Sequence, residues 1–143
     1  MSAAKPGGLL NVVLDTNVYF SAFSSTRGVP FELWRRAVQG EYTLLISPAM
    51  IRELADVLRT DLQRSDREIV AQLKRVVRVA KIVEPTLTLA VIKADPDDDR
   101  ILECAVAGHA DLIVSYDHHL TRVKAFQGIG IVRAIDFLRT LGG

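Results

Sequence analysis

Apolar residues along this chain fall into two alternating kinds of run. Short runs of Val, Ile and Leu occur at Leu9–Leu14, interrupted by Asn11, and at Thr43–Ile46, Lys81–Val83, Leu112–Val114 and Ile129–Val132. They do not alternate strictly with polar residues, the pattern of strands covered on both faces of a parallel sheet. Between them, apolar positions recur at three- and four-residue spacing. Pro30 opens one such stretch, with Phe31, Trp34, Ala37 and Val38 on its apolar side and Gly40 as its stop. Ser47-Pro48 supplies a cap and a first-turn proline for a helix whose Met50, Ile51, Leu54, Val57 and Leu58 share one stripe. Ser65 and Glu68 form a capping box ahead of Ile69, Val70, Leu73, Val76 and Val77. Asp98 or Asp99 is expected to cap a helix running to about Ala107, with Gly108 just beyond. A last helix covers about Ala134–Leu141. Strands alternating with helices predict an α/β fold: three layers, α/β/α, around a mainly parallel five-stranded sheet.

Length and composition narrow this picture. The 143 residues amount to one domain, expected over residues 9–143, with residues 1–8 (ending Pro6-Gly7-Gly8) as a flexible leader. Hydrophobic residues make up 49% and aromatics only 6%, so the core must be mainly aliphatic. A net charge of +1 excludes a strongly basic protein that coats nucleic acid and an acidic tail protein. One cysteine, Cys104, cannot form an intramolecular disulfide and reads as a small buried apolar residue. An unpaired thiol fits a reducing cytosol. No signal peptide and no run near the roughly 18–20 apolar residues of a membrane span is visible, so the expectation is a soluble, cytoplasmic protein.

The acidic residues carry the chemistry. Asp15 directly follows the first strand, and ligands of open parallel sheets bind beyond the carboxyl ends of the strands. Taken alone it reads as a turn or helix cap. Glu53 lies six residues beyond Ser47, about 60° outside the apolar stripe of its helix, and leans toward the strand ends. Taken alone it reads as a solvated glutamate. Asp95-Pro96-Asp97-Asp98-Asp99 places four carboxylates in five residues. One is enough for capping, and neighbouring like charges at 4 Å repel by roughly 1 kcal/mol even in water. Asp117 follows the fourth strand, two residues after Ser115. Together these four acidic positions fall at one end of the expected sheet. Carboxylates gathered there imply a cation, and all-oxygen ligation favours Mg²⁺ or Mn²⁺. Such ions serve phosphodiester hydrolysis. No serine–histidine–carboxylate spacing and no glycine-rich phosphate loop competes.

Leu14-Asp15-Thr16-Asn17, Glu53, Asp95-Pro96-Asp97-Asp98-Asp99 and Val114-Ser115-Tyr116-Asp117 together resemble the PIN domain, over about residues 11–138. The resemblance is closest to the branch that supplies toxin components of bacterial toxin–antitoxin pairs. It implies a sheet of order 3-2-1-4-5 and Mg²⁺- or Mn²⁺-dependent cleavage of single-stranded RNA. It also implies a small antitoxin protein as partner, and a homodimer. Carried over by position, Asp15, Glu53, Asp98 and Asp117 match the four family acids as catalytic and metal-binding residues. Asp98 is preferred to Asp99 because it stands seven residues before Ala105, and Asp99 remains the alternative ligand. Ser115 stands where threonine is commoner and keeps the hydroxyl that holds a neighbouring carboxylate. Asn17 matches a polar position that supports the acids.

Other readings stay open at this level. The same fold serves RNA maturation, DNA cleavage, or a catalytically weak partner-binding module. A phosphohydrolase with an aspartyl nucleophile commonly carries Asp-x-Asp after its first strand, whereas the third residue here is Asn17. Tyr19, Phe20 and Phe23 read mainly as core of a first helix, with Tyr19 a candidate for stacking on a base. His118 and His119 adjoin Asp117 and read as a polar turn or a substrate contact. Charge is segregated: residues 82–117 carry net −6, while residues 52–81 and 118–143 carry net +3 each. An acidic centre between basic segments suits a cation site that grips a phosphate backbone at its margins.

Overall fold

The computed structural model describes residues 8–86, 88 and 96–142. Residues 1–7 of the expected leader, Asp95 and the side chain of Asp97 lie outside that description. No helix among the described residues is long and apolar enough to cross a membrane.

Five short strands form the parallel part of the sheet. β1 (Asn11–Leu14) lies between β2 (Thr43–Ile46) and β4 (Leu112–Val114), with Val12 opposite both Leu44 and Leu112. β3 (Lys81–Ile82) extends the sheet beyond β2, and β6 (Ile129–Val132) extends it beyond β4. The three central strands are almost wholly buried, which explains their unbroken Val, Ile and Leu. The first strand starts later than expected: Leu9 is 49% exposed and pairing begins at Asn11.

The sheet has six strands rather than five, in the order β3-β2-β1-β4-β6-β5. The addition is β5 (Ala125–Phe126), antiparallel to β6 on the outer edge. Gln127 and Gly128 join them with φ of +51° and +82°. Positive φ at both turn positions is the type I′ hairpin, whose twist matches that of its strands.

Helices flank the sheet. α1 (Thr16–Ser24) packs on α2 (Val29–Val38) and α3 (Pro48–Thr60), and α3 on α4 (Asp66–Val79). α5 (Pro96–Ala107) lies against β1, β2 and β4, and α7 (Ala134–Leu141) packs on α2. Tyr42 and Phe137 meet edge-to-face at 4.9 Å beside that last contact. Two caps behave as their sequence predicts. Ser47 Oγ accepts from Met50 N–H, and Ser65 and Glu68 make the reciprocal capping box of α4. The start of α5 differs. The helix opens at Pro96, so Asp98 and Asp99 sit inside its first turn rather than at its cap. Gly108 ends α5 in a close fit, because a Cβ there would stand 2.8 Å from Leu45 Cδ1 and 3.0 Å from Val83 Cγ2.

Candidate metal centre

Two strand ends and two helices deliver the site: Asp15 follows β1, Asp117 follows β4, Glu53 lies in α3 and Asp98 in α5. β1 runs straight into Asp15, whose N–H donates to Val114 O at 2.9 Å and so carries the β1–β4 ladder one residue further. Asp15 occupies the N-cap position of α1, yet its side chain makes no capping hydrogen bond. Its Oδ2 instead accepts from Ser115 Oγ at 2.6 Å, and its Oδ1 from Thr16 Oγ1 at 3.3 Å. Asp15 is thus a helix cap by position, while its carboxylate is held chiefly by the two hydroxyls. The carboxylate is 5% exposed, and burial raises its pKa above the ordinary 3.8, opposed by the Ser115 hydroxyl and the neighbouring Thr16 and Asn17 amides.

Ser115, itself fully buried, ties two acids together. Its hydroxyl donates to Asp15 and accepts the Asp117 N–H at 2.9 Å. Asp117 in turn caps the short helix α6 (His118–Thr121), its Oδ1 accepting from His119 N–H at 2.8 Å. Asn17 Oδ1 accepts from Tyr116 N–H at 3.4 Å, linking α1 to the same loop.

These residues open into one cleft of about 250 Å³, lined by the acids Asp15, Glu53, Asp61, Asp98 and Asp117 together with Thr16, Asn17, Phe20 and Val57. The four acids carried over by position thus share one cleft. Asp99 does not line it, although it is equally buried at 4% exposure. No basic side chain is among the described residues that line it. The donor set is carboxylate oxygen throughout, supported by a hydroxyl and an amide. It fits a hard divalent cation of the Mg²⁺ or Mn²⁺ type and offers nothing to a soft one.

Two features escaped the sequence reading. Asp61 is a fifth acid of the cleft, at the C-terminal end of α3. Val57 and Asp61 follow Glu53 at four-residue intervals, which is the row along one side of a helix, so the signal was present. Phe20, rather than Tyr19, is the aromatic at the site. Tyr19 is 1% exposed, packed 5.9 Å from Phe23 and 6.4 Å from Trp34, and no base can reach its ring.

Solved structures that share this fold include the following two. VapBC2 from Rickettsia felis bound to a DNA fragment from their promoter matches with a TM-score of 0.62 at 14% identity, covering 87% of this chain and 98% of that one. PAE2754 from Pyrobaculum aerophilum matches with a TM-score of 0.57 at 16% identity, covering 93% and 89%. No curated protein matches the chain in sequence. The family model of the PIN domain, a family of nucleases that generally use divalent metals, matches residues 11–119. A match over that span, across β1, the acid cleft and β4, means that the chain belongs to the PIN-domain family.

Proposed function

We propose that this protein is a Mg²⁺- or Mn²⁺-dependent endoribonuclease that hydrolyses RNA phosphodiesters. The observation that carries the reading is the convergence of Asp15, Glu53, Asp98 and Asp117 on one cleft lined by no basic side chain among the described residues. Asp15, Asp98 and Asp117 would hold the cation directly or through water, and Glu53 would orient a water or a second ion. A divalent cation bound there supplies Lewis-acid charge to the phosphodiester and activates water. Ser115 keeps Asp15 and Asp117 in register, so that two acids from different strands present fixed oxygens. No side-chain nucleophile is required.

A single-stranded substrate is supported by a second hollow lined from the same helix α1, and the choice of RNA rests on the motif resemblance. Phe23 stands one turn beyond Phe20 on α1 and lines a hollow of about 350 Å³ with Arg64 and Arg75. Arg64 is steadied there by donating to Phe23 O at 3.2 Å. Glu68 lines the same hollow and pairs with Arg64 at 3.8 Å, so Arg75 is the guanidinium best placed to grip a phosphate beside the Phe23 ring.

In the cell we assign the protein the role of toxin in a type II toxin–antitoxin pair, cytoplasmic, homodimeric, and held by a small antitoxin protein. The motif resemblance supports this role, and so does the likeness of fold to VapBC2. The deciding experiment is cleavage of single-stranded RNA, with single-stranded DNA alongside, in Mn²⁺ and in EDTA, for wild type and Asp15→Asn. Cleavage of RNA that EDTA and Asp15→Asn both abolish supports the reading. Cleavage that survives either change overturns it, and cleavage of DNA alone reassigns the substrate. Growth arrest on expression, relieved by the product of a neighbouring reading frame, tests the toxin role.

A further inference from the structure

The loop after β4 carries three side chains that the nuclease reading uses only in part. Asp117, His118 and His119 each offer one ligand atom, and these atoms lie within 4.8 Å of one another. His118 is exposed and His119 half-buried, with ring centroids 4.2 Å apart and planes 35° from parallel. The cap places Asp117: its Oδ1 accepts the His119 N–H at 2.8 Å, which holds the carboxylate beside the two rings. Tetrahedral ligands about 2.0–2.1 Å from a zinc ion stand roughly 3.3 Å apart, so small side-chain rotations at the open surface close this constellation.

Its chemistry differs from that of the cleft. Mg²⁺ demands oxygen and keeps its waters, whereas imidazole nitrogen suits Zn²⁺, Ni²⁺ and Co²⁺. Two nitrogens and one oxygen with room for water are a poor Mg²⁺ site and a good zinc site. The remaining nitrogen and sulfur donors do not compete. His109 precedes β4, at the strand end opposite Asp117, and the buried Cys104 thiol is pushed up to about 12 by desolvation, against a hydrogen bond with Ser47.

We propose that Asp117, His118 and His119 form a transition-metal site on the lip of the acid cleft, taking Zn²⁺ or a similar borderline ion through one carboxylate oxygen and two imidazole nitrogens. Because Asp117 also lines the cleft, an ion on the histidine pair and an ion in the cleft contend for one carboxylate. Coupling of this kind is reciprocal: Zn²⁺ weakens Mn²⁺ binding by the factor by which Mn²⁺ weakens Zn²⁺ binding. Only this antagonism rests on the cation reading of the cleft. The zinc site itself does not.

The test is calorimetric titration of the full chain with Zn²⁺ alone, with Co²⁺ absorption as a spectroscopic report on ligand type. Wild type, His118→Ala/His119→Ala and Asp15→Asn are compared, each first shown by thermal unfolding to be folded. Expected are Zn²⁺ binding by wild type and by Asp15→Asn, and a loss of at least about tenfold in the double-histidine variant. The Co²⁺ complex of wild type should show intense visible bands that the double variant lacks. Zn²⁺ affinity within twofold of wild type in the double-histidine variant overturns the proposal, as does absence of binding by wild type. Zn²⁺ binding lost in Asp15→Asn but kept without the histidines places the ion in the cleft instead. In that case this proposal fails while the cation cleft stands. Mn²⁺ titration of Asp15→Asn tests the cleft separately.

Discussion

Removing the Ser115 hydroxyl should cost more than its single oxygen atom suggests. Ser115→Ala deletes two hydrogen bonds at once in a fully buried position. The bond to Asp15 is charge-assisted and short, at 2.6 Å, and bonds of that kind contribute about 1.5–3 kcal/mol. The Asp117 N–H loses its acceptor as well, a part-buried donor whose exposure to no partner costs about 1 kcal/mol. The sum is roughly 2–4 kcal/mol at neutral pH. For 143 residues, at roughly 2.1 cal/mol/K per residue of unfolding entropy, that lowers the Tm by about 7–13 °C. Ser115→Thr keeps the hydroxyl and separates its loss from a change of volume. A double-mutant cycle with Asp15→Asn isolates the charged part, because the serine should matter less once its acceptor is neutral. The assay is thermal unfolding of metal-free protein. A drop below about 0.5 kcal/mol, or an equal cost in the Asp15→Asn background, would refute the shared-hydroxyl account.

The buried acid itself sets the pH response. Since burial raises the Asp15 pKa above 3.8, the folded chain holds more protons than the unfolded chain between those two values, and Asp15 makes metal-free stability fall as pH rises through that window. Asp15→Asn should therefore stabilise the metal-free protein at pH 7, by of order 1 kcal/mol, and flatten that part of a Tm–pH curve. Mn²⁺ at about 100 times its Kd should add about 2.7 kcal/mol to wild type, near 9 °C in Tm, and almost nothing to Asp15→Asn. An unmoved wild-type Tm would argue against cation binding. Asp61→Asn should weaken Mn²⁺ binding by no more than about fivefold, the worth of one exposed charge, measured by calorimetry. Gly108→Ala should cost roughly 1–3 kcal/mol in chemical denaturation, because its Cβ would press on Leu45 and Val83.

Local rules made most of the scaffold readable. β2, β4, β6 and α7 have the bounds their runs predict, and Ser47 and Ser65 cap the helices they announce. What was missed obeys rules of a different reach. β5 is two residues long, too short for periodicity, and its existence depends on pairing with β6 across the Gln127-Gly128 turn. The start of α5 turned on Pro96, a residue preorganised for a first helical turn, which makes Asp98 and Asp99 members of the helix instead of its cap. At the site, Asp15 and Glu53 taken singly favour a bland reading, the Asp95–Asp99 cluster is balanced, and their common position at the strand ends tips the reading to a cation. The preference for Asp98 over Asp99 comes from its spacing to Ala105 under the family resemblance, and the helix phase agrees with it. Asp98 lines the cleft, and its neighbour, one residue or 100° further round, does not. Asp61 is easily passed over because Val57, one turn before it, belongs to the apolar stripe of its helix.

The uncapped start of α1 shows what the site costs its fold. An aspartate at an N-cap that satisfies a backbone N–H typically contributes about 1 kcal/mol, and Asp15 forgoes that bond. Its carboxylate is buried at the end of a hydrophobic strand, where desolvation works against its charge, and the partner it gains is a serine hydroxyl rather than a cationic side chain. For stability alone, an Asp15 side chain turned to cap the helix amides would serve better. The arrangement makes sense if the charge is meant for an external partner: a bound divalent cation would reverse the desolvation penalty, and the rigid β1–β4 ladder would hold the oxygens ready for it. A near-neutral chain is then no argument against a nucleic-acid enzyme, because its net +1 conceals an acidic stretch of −6 between segments of +3.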